Sequence, residues 1–304
     1  MTSKKFLITT FIIFSAIVLF VIGLNYYSDD FGLFRSHSER RIWALEKTSK
    51  YLMSFKYIPE NYNAVLVGSS VSANLDTRKL AGYKVYNLSM NSGNITELKY
   101  PLDVLIESGK IKAVIFCLYD YTTKNSGVKG NQLSEKEYLG SLYSTIPFEV
   151  MKYKIKFKLG MGNDVFKYSQ NGFNNFNITK THVKFDVVNF EYMQKPKIEM
   201  HIDGTAYEEL KVIIDRLHKR NIRIYGFFYP IYKDWFEIYE KNGSWIEYKN
   251  RILGVFDETK DVIVDMNTED YIYISSSKGS YTDGHLSNDG AEEVLKVINE
   301  LIKE

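Results

Sequence analysis

The chain is short of several things that carry common chemistry. Cys117 is its only cysteine among 304 residues, so an internal disulfide and a cysteine-histidine metal cluster are both excluded. That cysteine sits in the apolar run Ala113 to Leu118, which reads as a buried strand and not as the electropositive setting of a reactive thiolate. Net charge is also nearly absent. Lys+Arg of 39 against Asp+Glu of 37 gives +2, too little for a global field that would draw nucleic acid. No Gly-x-Gly-x-x-Gly, Walker loop or His-Glu-x-x-His occurs, so nucleotide and zinc chemistry have no local support. No cofactor and no metal site are expected. The hydrophobic content of 45% supports one full-sized domain with a buried core.

What is present begins at the N-terminus. Lys4 and Lys5 precede an uncharged apolar stretch from Phe6 to Leu24, about 19 residues, against the roughly 20 needed to span a bilayer as a helix. No Ala-x-Ala cleavage pattern follows it, which favours an uncleaved anchor. The two lysines place residues 1–5 in the cytoplasm and everything after Asn25 across the membrane. Residues 25–60 are read as a linking region with helical character, Ile42, Leu45, Tyr51, Leu52 and Phe55 sharing a face. The globular domain is expected over 61–304, with an insertion at about 126–200.

Within that domain strands and helices alternate. Ala64 to Val67, Val85 to Leu88, Ile111 to Tyr119, Ile222 to Tyr229 and Val262 to Val264 read as strands. Ile95 to Glu107 reads as a helix capped by Asn94 or Thr96, with Pro101 expected to shift its start or kink it. Thr205 and Glu208 suggest a capping box for the next helix. Trp235 to Phe256 reads as partly helical and broken at Gly243, and Asp289 to Lys303 is the last helix, with Val294, Ile298 and Leu301 inward. This order predicts an α/β fold with a mostly parallel sheet covered on both faces.

Two short segments more than two hundred residues apart carry the chemistry. Val65-Leu66-Val67-Gly68-Ser69-Ser70 is a strand running into a Gly-Ser-Ser turn. Tyr281-Thr282-Asp283-Gly284-His285-Leu286-Ser287-Asn288-Asp289-Gly290 brings an acid and an imidazole together before the final helix. A serine hydroxyl needs an imidazole within hydrogen-bond reach, usually oriented by a carboxylate, before it attacks an acyl carbonyl. Ser70, His285 and Asp283 are the candidates for those roles. Taken singly, Ser70 reads equally as a helix cap and His285 as a loop histidine bonded to backbone. Ser70, Gly93, Asp120 and the His285 loop all follow strands, and in open α/β sheets the carboxyl ends of strands form the ligand crevice. Asn91 and Asp120 are candidates for substrate contact at that edge.

Those residues make the chain resemble the SGNH/GDSL hydrolase superfamily, in particular its membrane-anchored cell-envelope acyl-modifying branch, which includes alginate O-acetylation proteins and the D-alanyl-lipoteichoic acid transfer protein. Gly68-Ser69-Ser70 matches the first block of that superfamily. Tyr86-Asn87-Leu88-Ser89-Met90-Asn91-Ser92-Gly93 resembles the second, and Asp283 with His285 the fifth. The resemblance implies a three-layer flavodoxin-like parallel sheet, Ser70 as nucleophile, and an oxyanion hole from the amides of Ser70 and Gly93. It further implies an esterase or O-acyltransferase working on a cell-envelope glycan or teichoic-acid-like polymer, and for transfer a membrane-bound O-acyltransferase partner. The chain departs from the pattern twice. Tyr119-Asp120-Tyr121 stands where the third block places an Asn, and Asp283 is two residues before His285 where three is usual. These departures motivate a second expectation, a catalytically degenerate member that binds polymer or scaffolds an envelope complex. A lipid-directed esterase is a third.

The alternation of apolar residues and lysines in Met151-Lys152-Tyr153-Lys154-Ile155-Lys156-Phe157-Lys158-Leu159 would, if extended, put four lysines on one face. It reads either as an edge strand protected by lysines or as a basic strip for an anionic polymer or head groups.

Overall fold

In this computed structural model the described residues are 3–29, 33–34, 46–124, 170–174, 199–276, 281–282 and 285–303, with scattered positions between 142 and 161. Helix α1 (Ser3–Ser28) contains the apolar stretch; at 26 residues, with an 18-residue window of mean hydropathy 2.8, it is long and apolar enough to cross a membrane, or to serve as a signal sequence, and none of that window is buried, although Asn25 near its end is. Then come α2 (Glu46–Phe55), α3 (Tyr57–Asn61), β1 (Ala64–Val67), the single turn α4 (Ser70–Ala73), β2 (Val85–Asn87), α5 (Ile95–Glu107) and β3 (Ala113–Leu118). They are followed by α6 (Gly204–Lys219), β4 (Arg223–Phe228), α7 (Lys233–Lys241), α8 (Ser244–Leu253), β5 (Val262–Asp265) and α9 (Ile272–Ser276). A two-residue hairpin of β6 (Tyr281–Thr282) and β7 (His285–Leu286) leads into α10 (Asn288–Leu301).

All neighbours in the main sheet are parallel, in the order β2-β1-β3-β4-β5, the flavodoxin-like arrangement. Alternate residues of each strand feed two apolar layers, as the two-residue period of a strand requires. Val65, Val67, Val114, Phe116, Ile224 and Phe228 join α5, α6 and α8 in one core. Ala64, Leu66, Ala113, Ile115, Cys117, Tyr225 and Phe227 join α10 and the chain after α4 in the other. Because both faces are covered, the strands read as continuous apolar runs. The order reverses between β1 and β3, so the switch-point crevice lies beyond Val67 and Leu118.

Several expectations shift. Residues 46–61, read as part of a linking region, belong to the domain: Met53, Tyr57 and Ile58 are buried in the first core, and α2 lies against α5. Asn94 does cap α5, its side chain accepting from Glu97 N at 3.1 Å, and the helix continues through a buried Pro101. The capping box does not form. Asp203 occupies the cap position of α6 with no side-chain cap bond, and Thr205 and Glu208 fall inside the helix. Gly243 separates α7 from α8 at φ 76°, a left-handed backbone suited to glycine. Most of 126–200 lies outside the described residues. Within 151–159, Lys152, Ile155 and Lys156 are helical and Leu159 N donates to Ile155 O at 3.0 Å, so the extended reading is not what these positions adopt. Residues 170–174 return to the sheet edge, where Asn87 N donates to Asn171 O at 2.6 Å, covering an otherwise open strand.

Candidate active site

Ser70 leaves β1 on the first residue of α4. Its hydroxyl meets the imidazole of His285, with Nε2 3.0 Å from Oγ, within the reach that proton transfer demands. The capping alternative for Ser70 is not realised. Ser69 holds the cap position, makes no side-chain cap bond, and keeps its own Oγ buried with no hydrogen-bond partner among the described residues. Asp283 lies outside the described residues.

The nucleophile turn is set by close packing. A Cβ on Gly68 would stand 2.2 Å from Ser72 Oγ and 2.8 Å from Cys117 Cβ, so only glycine lets the end of β1 approach β3 this closely. Ser72 Oγ in turn donates to Ser89 Oγ at 2.9 Å. Asn87, wholly buried, gives its amide to the carbonyls of Ser72 at 2.8 Å and Leu75 at 2.9 Å, tying the segment after Ser70 to β2. Burial of Cys117 pushes its thiol up to about 12 despite a hydrogen bond with Ser72, which is the inert, structural behaviour expected of it.

The His285 strand is pinned from two sides. Asn74 Nδ2 donates to Leu286 O at 2.8 Å, and Leu286 N donates to the Tyr229 hydroxyl at 3.1 Å. Ser287 then caps α10 by accepting from Gly290 N at 3.3 Å. The imidazole is thus referenced to the C-cap of α4 and to the residue after β4, on the carboxyl side of the sheet. Asn74 and Tyr229 were not among the sequence candidates. An Asn about one turn beyond the nucleophile and a Tyr closing an apolar strand are the only marks they carry in the sequence, and neither names Leu286 as the partner.

Gly93 lies beside the nucleophile turn: a Cβ there would stand 2.9 Å from Met90 O and 3.3 Å from Gly68 O. Met90 N donates to Gly68 O at 3.1 Å. The Gly93 amide, however, donates to Met90 O at 2.9 Å and closes a tight turn in which Ser92 takes φ 51°. Asn91 is exposed, its N–H donating to Glu46 Oε2 at 2.9 Å. Among the described residues the Ser92 N–H has no partner. Asp120 follows β3 on the same edge but is engaged: Lys124 forms an ion pair with it, and His201 N donates to its Oδ1 at 2.9 Å. A carboxylate held in this way accepts hydrogen bonds and offers none to an oxyanion.

A doubly wound α/β sheet with a serine-imidazole pair at its switch point is the class that the geometry defines. Neither a family model nor a curated protein matches the chain. Among solved structures it is similar to a protein from Streptococcus pneumonia provisionally described as a platelet activating factor, with 11% identity over 84% of this chain and 90% of that one, and a TM-score of 0.45. No group of three or more His, Cys, Asp or Glu placed to hold a metal ion occurs among the described residues.

Proposed function

We propose that the chain is a membrane-anchored, extracytoplasmic serine esterase or O-acyltransferase of SGNH type, acting on a cell-envelope glycan or teichoic-acid-like polymer. The observation that carries the catalytic part is the 3.0 Å contact between His285 Nε2 and Ser70 Oγ, made across 215 residues at the crevice of the sheet. In this reading Ser70 Oγ attacks an ester carbonyl while His285 takes its proton, and Asp283 steadies the imidazolium. The imidazolium then gives the proton to the departing alcohol. Water or a sugar hydroxyl, activated by the same imidazole, releases the acyl group from Ser70. The oxyanion falls to the Ser70 amide and the Met90–Gly93 turn, where the Gly93 N–H leaves Met90 O or the Ser92 N–H takes its place. Helix α1 supplies the anchor, and a membrane-bound O-acyltransferase would supply the acyl group if transfer is the reaction.

A second reading is a degenerate member that binds polymer or scaffolds an envelope complex. The engaged Gly93 amide and the locked Asp120 favour it. The test is intact-protein mass spectrometry of the full chain in detergent micelles after exposure to a fluorophosphonate. Wild type should gain one adduct, Ser70→Ala none, and His285→Ala should label slower by at least roughly 10²-fold, the usual contribution of a general base. Folded wild type that stays unlabelled, beside a serine esterase that labels, favours the second reading.

A further inference from the structure

We propose that α2 is a positioning clamp for the 89–93 loop, with Glu46, Lys47 and Lys50 holding that loop against the turn that bears Ser70. The proposal rests on the serine-hydrolase reading of the site. Three side chains on successive positions of one helix face reach three backbone groups of one loop. Lys50 Nζ donates to Ser89 O. Glu46 Oε2 accepts from Asn91 N at 2.9 Å. Lys47 Nζ donates to Ser92 O at 3.1 Å and also binds Glu97 at the start of α5, at 2.6 Å and 2.8 Å. From the loop the path continues through Met90 N to Gly68 O at 3.1 Å, two residues before the nucleophile.

The arrangement is costly, and that cost argues for a purpose beyond packing. The Lys50 side chain is 0% exposed and Glu46 lies 3.1 Å away, itself 9% exposed. A wholly buried lysine is rare, and an apolar residue of the same volume usually packs there at least as well. Burial lowers the Lys50 pKa while Glu46 opposes the shift. What an apolar residue could not supply is a donor to the Ser89 carbonyl. The clamped loop also contains Ser92 at φ 51°, a backbone that a non-glycine residue keeps only when its surroundings fix it. With the Asn91 and Gly93 amides already taken, the clamp determines which amides of this turn face an oxyanion. Glu46, Lys47 and Lys50 are therefore positioning residues that act through the loop.

The experiment uses the full chain in detergent micelles with p-nitrophenyl acetate as substrate and a fluorophosphonate to count functional serines. Glu46→Gln with Lys50→Met removes both buried charges while keeping an acceptor for Asn91 N and an apolar stem of similar length. Lys47→Met removes a side chain that is 41% exposed, so this variant is expected to fold, and Lys47→Arg restores a donor. If the clamp positions the loop, the double variant keeps its titratable Ser70, but kcat per titrated site falls roughly 10- to 100-fold with KM little changed, the scale set by a small misplacement near the reacting atoms. Lys47→Met falls in the same sense, by roughly 3- to 10-fold on that scale, and Lys47→Arg recovers the rate. A purely structural role lowers the titratable fraction and the melting temperature and leaves the rate per titrated site intact. Unchanged kcat per site in both Lys47→Met and the double variant overturns the clamp, and if the double variant does not fold, the Lys47 pair decides alone. Wild type whose Ser70 does not titrate at all overturns the reading of the site, and the clamp falls with it.

Discussion

Gly68→Ala tests how the nucleophile is set, because the structure gives the size of the disturbance. The new Cβ would lie 2.2 Å from Ser72 Oγ and 2.8 Å from Cys117 Cβ. An ordinary contact needs about 3.4 Å or more, so these atoms must part by roughly 1.2 Å and 0.6 Å. The serine hydroxyl can rotate, at the loss of its bond to Ser89. Cys117 Cβ cannot, because Cys117 is locked in register opposite Phe227 in the interior of the sheet. The end of β1 must therefore lift off β3 by about half an ångström or more, and Ser70, two residues further on, moves with it. Overpacking of this kind costs about 1–3 kcal/mol, or roughly 2–12 °C in melting temperature for a domain of this size. A displacement on that scale carries the Ser70–His285 contact of 3.0 Å toward the limit of a hydrogen bond, so fluorophosphonate labelling should slow by about 10- to 100-fold. The assay is thermal unfolding beside labelling kinetics on the same sample. Adding Cys117→Gly to Gly68→Ala removes the rigid obstacle and should recover part of the labelling rate, whereas Gly68→Ala with Ser72→Gly should not. If Gly68→Ala unfolds and labels like wild type, the account of the turn is wrong.

The two ties on the His285 strand make a second test. Asn74→Ala and Tyr229→Phe each remove one hydrogen bond to Leu286 and should cost about 0.5–1.5 kcal/mol in stability. Both should also slow Ser70 labelling, and Tyr229→Phe does so with the ring packing on Tyr119 kept, at a centroid distance of 5.3 Å; labelling at the wild-type rate in both variants would show that the strand is held by other means. Cys117 gives a pH prediction. Burial raises its pKa from 9.0 to about 12, so between those values the unfolded thiol is ionised while the folded one keeps its proton. The folded state then binds more protons and stability falls as pH rises, by at most about 1.4 kcal/mol per pH unit. Chemical unfolding of wild type and Cys117→Ala from pH 8 to 11 should show a steeper alkaline loss in wild type, and a thiol reagent should reach Cys117 only after unfolding. Parallel slopes would refute the assignment.

The parallel sheet was legible because each of its strands is apolar on both faces, and a run such as Ala113 to Leu118 admits few other uses at that length. The boundaries were less legible where local and tertiary forces disagree. Thr205 and Glu208 have the spacing of a capping box, yet the chain entering from Asp203, whose N–H donates to Thr123 O at 3.1 Å, starts α6 one residue after Asp203. Residues 46–61 read as polar because Ser49, Lys50 and Ser54 interrupt the apolar pattern. All three are buried; Ser54 Oγ donates to Tyr51 O one turn back, whereas Lys50 also reaches the Ser89 carbonyl, a group that no local window contains. The hairpin at His285 escaped notice for a related reason, since two residues per strand leave no period to read.

The same reasoning separates what spacing can say about the candidate site from what it cannot. Ser70 and His285 could be named because proton transfer restricts the residue types, and a strand-end location restricts where they sit. The groups that bring them together have no such signature. Asn74, Tyr229 and Asn87 act through side-chain bonds to backbone atoms, and a backbone carbonyl looks the same in every residue. Asn74 bridges 212 residues to Leu286, so neither segment alone encodes the contact. Formation of the serine-imidazole pair therefore requires the β1 turn, the end of β4 and the β7 strand to be in place together. Loosening any one of them should lower the reactivity of Ser70 while the sheet keeps its register at a modest loss of stability, because that register does not depend on the last bonds at its edge.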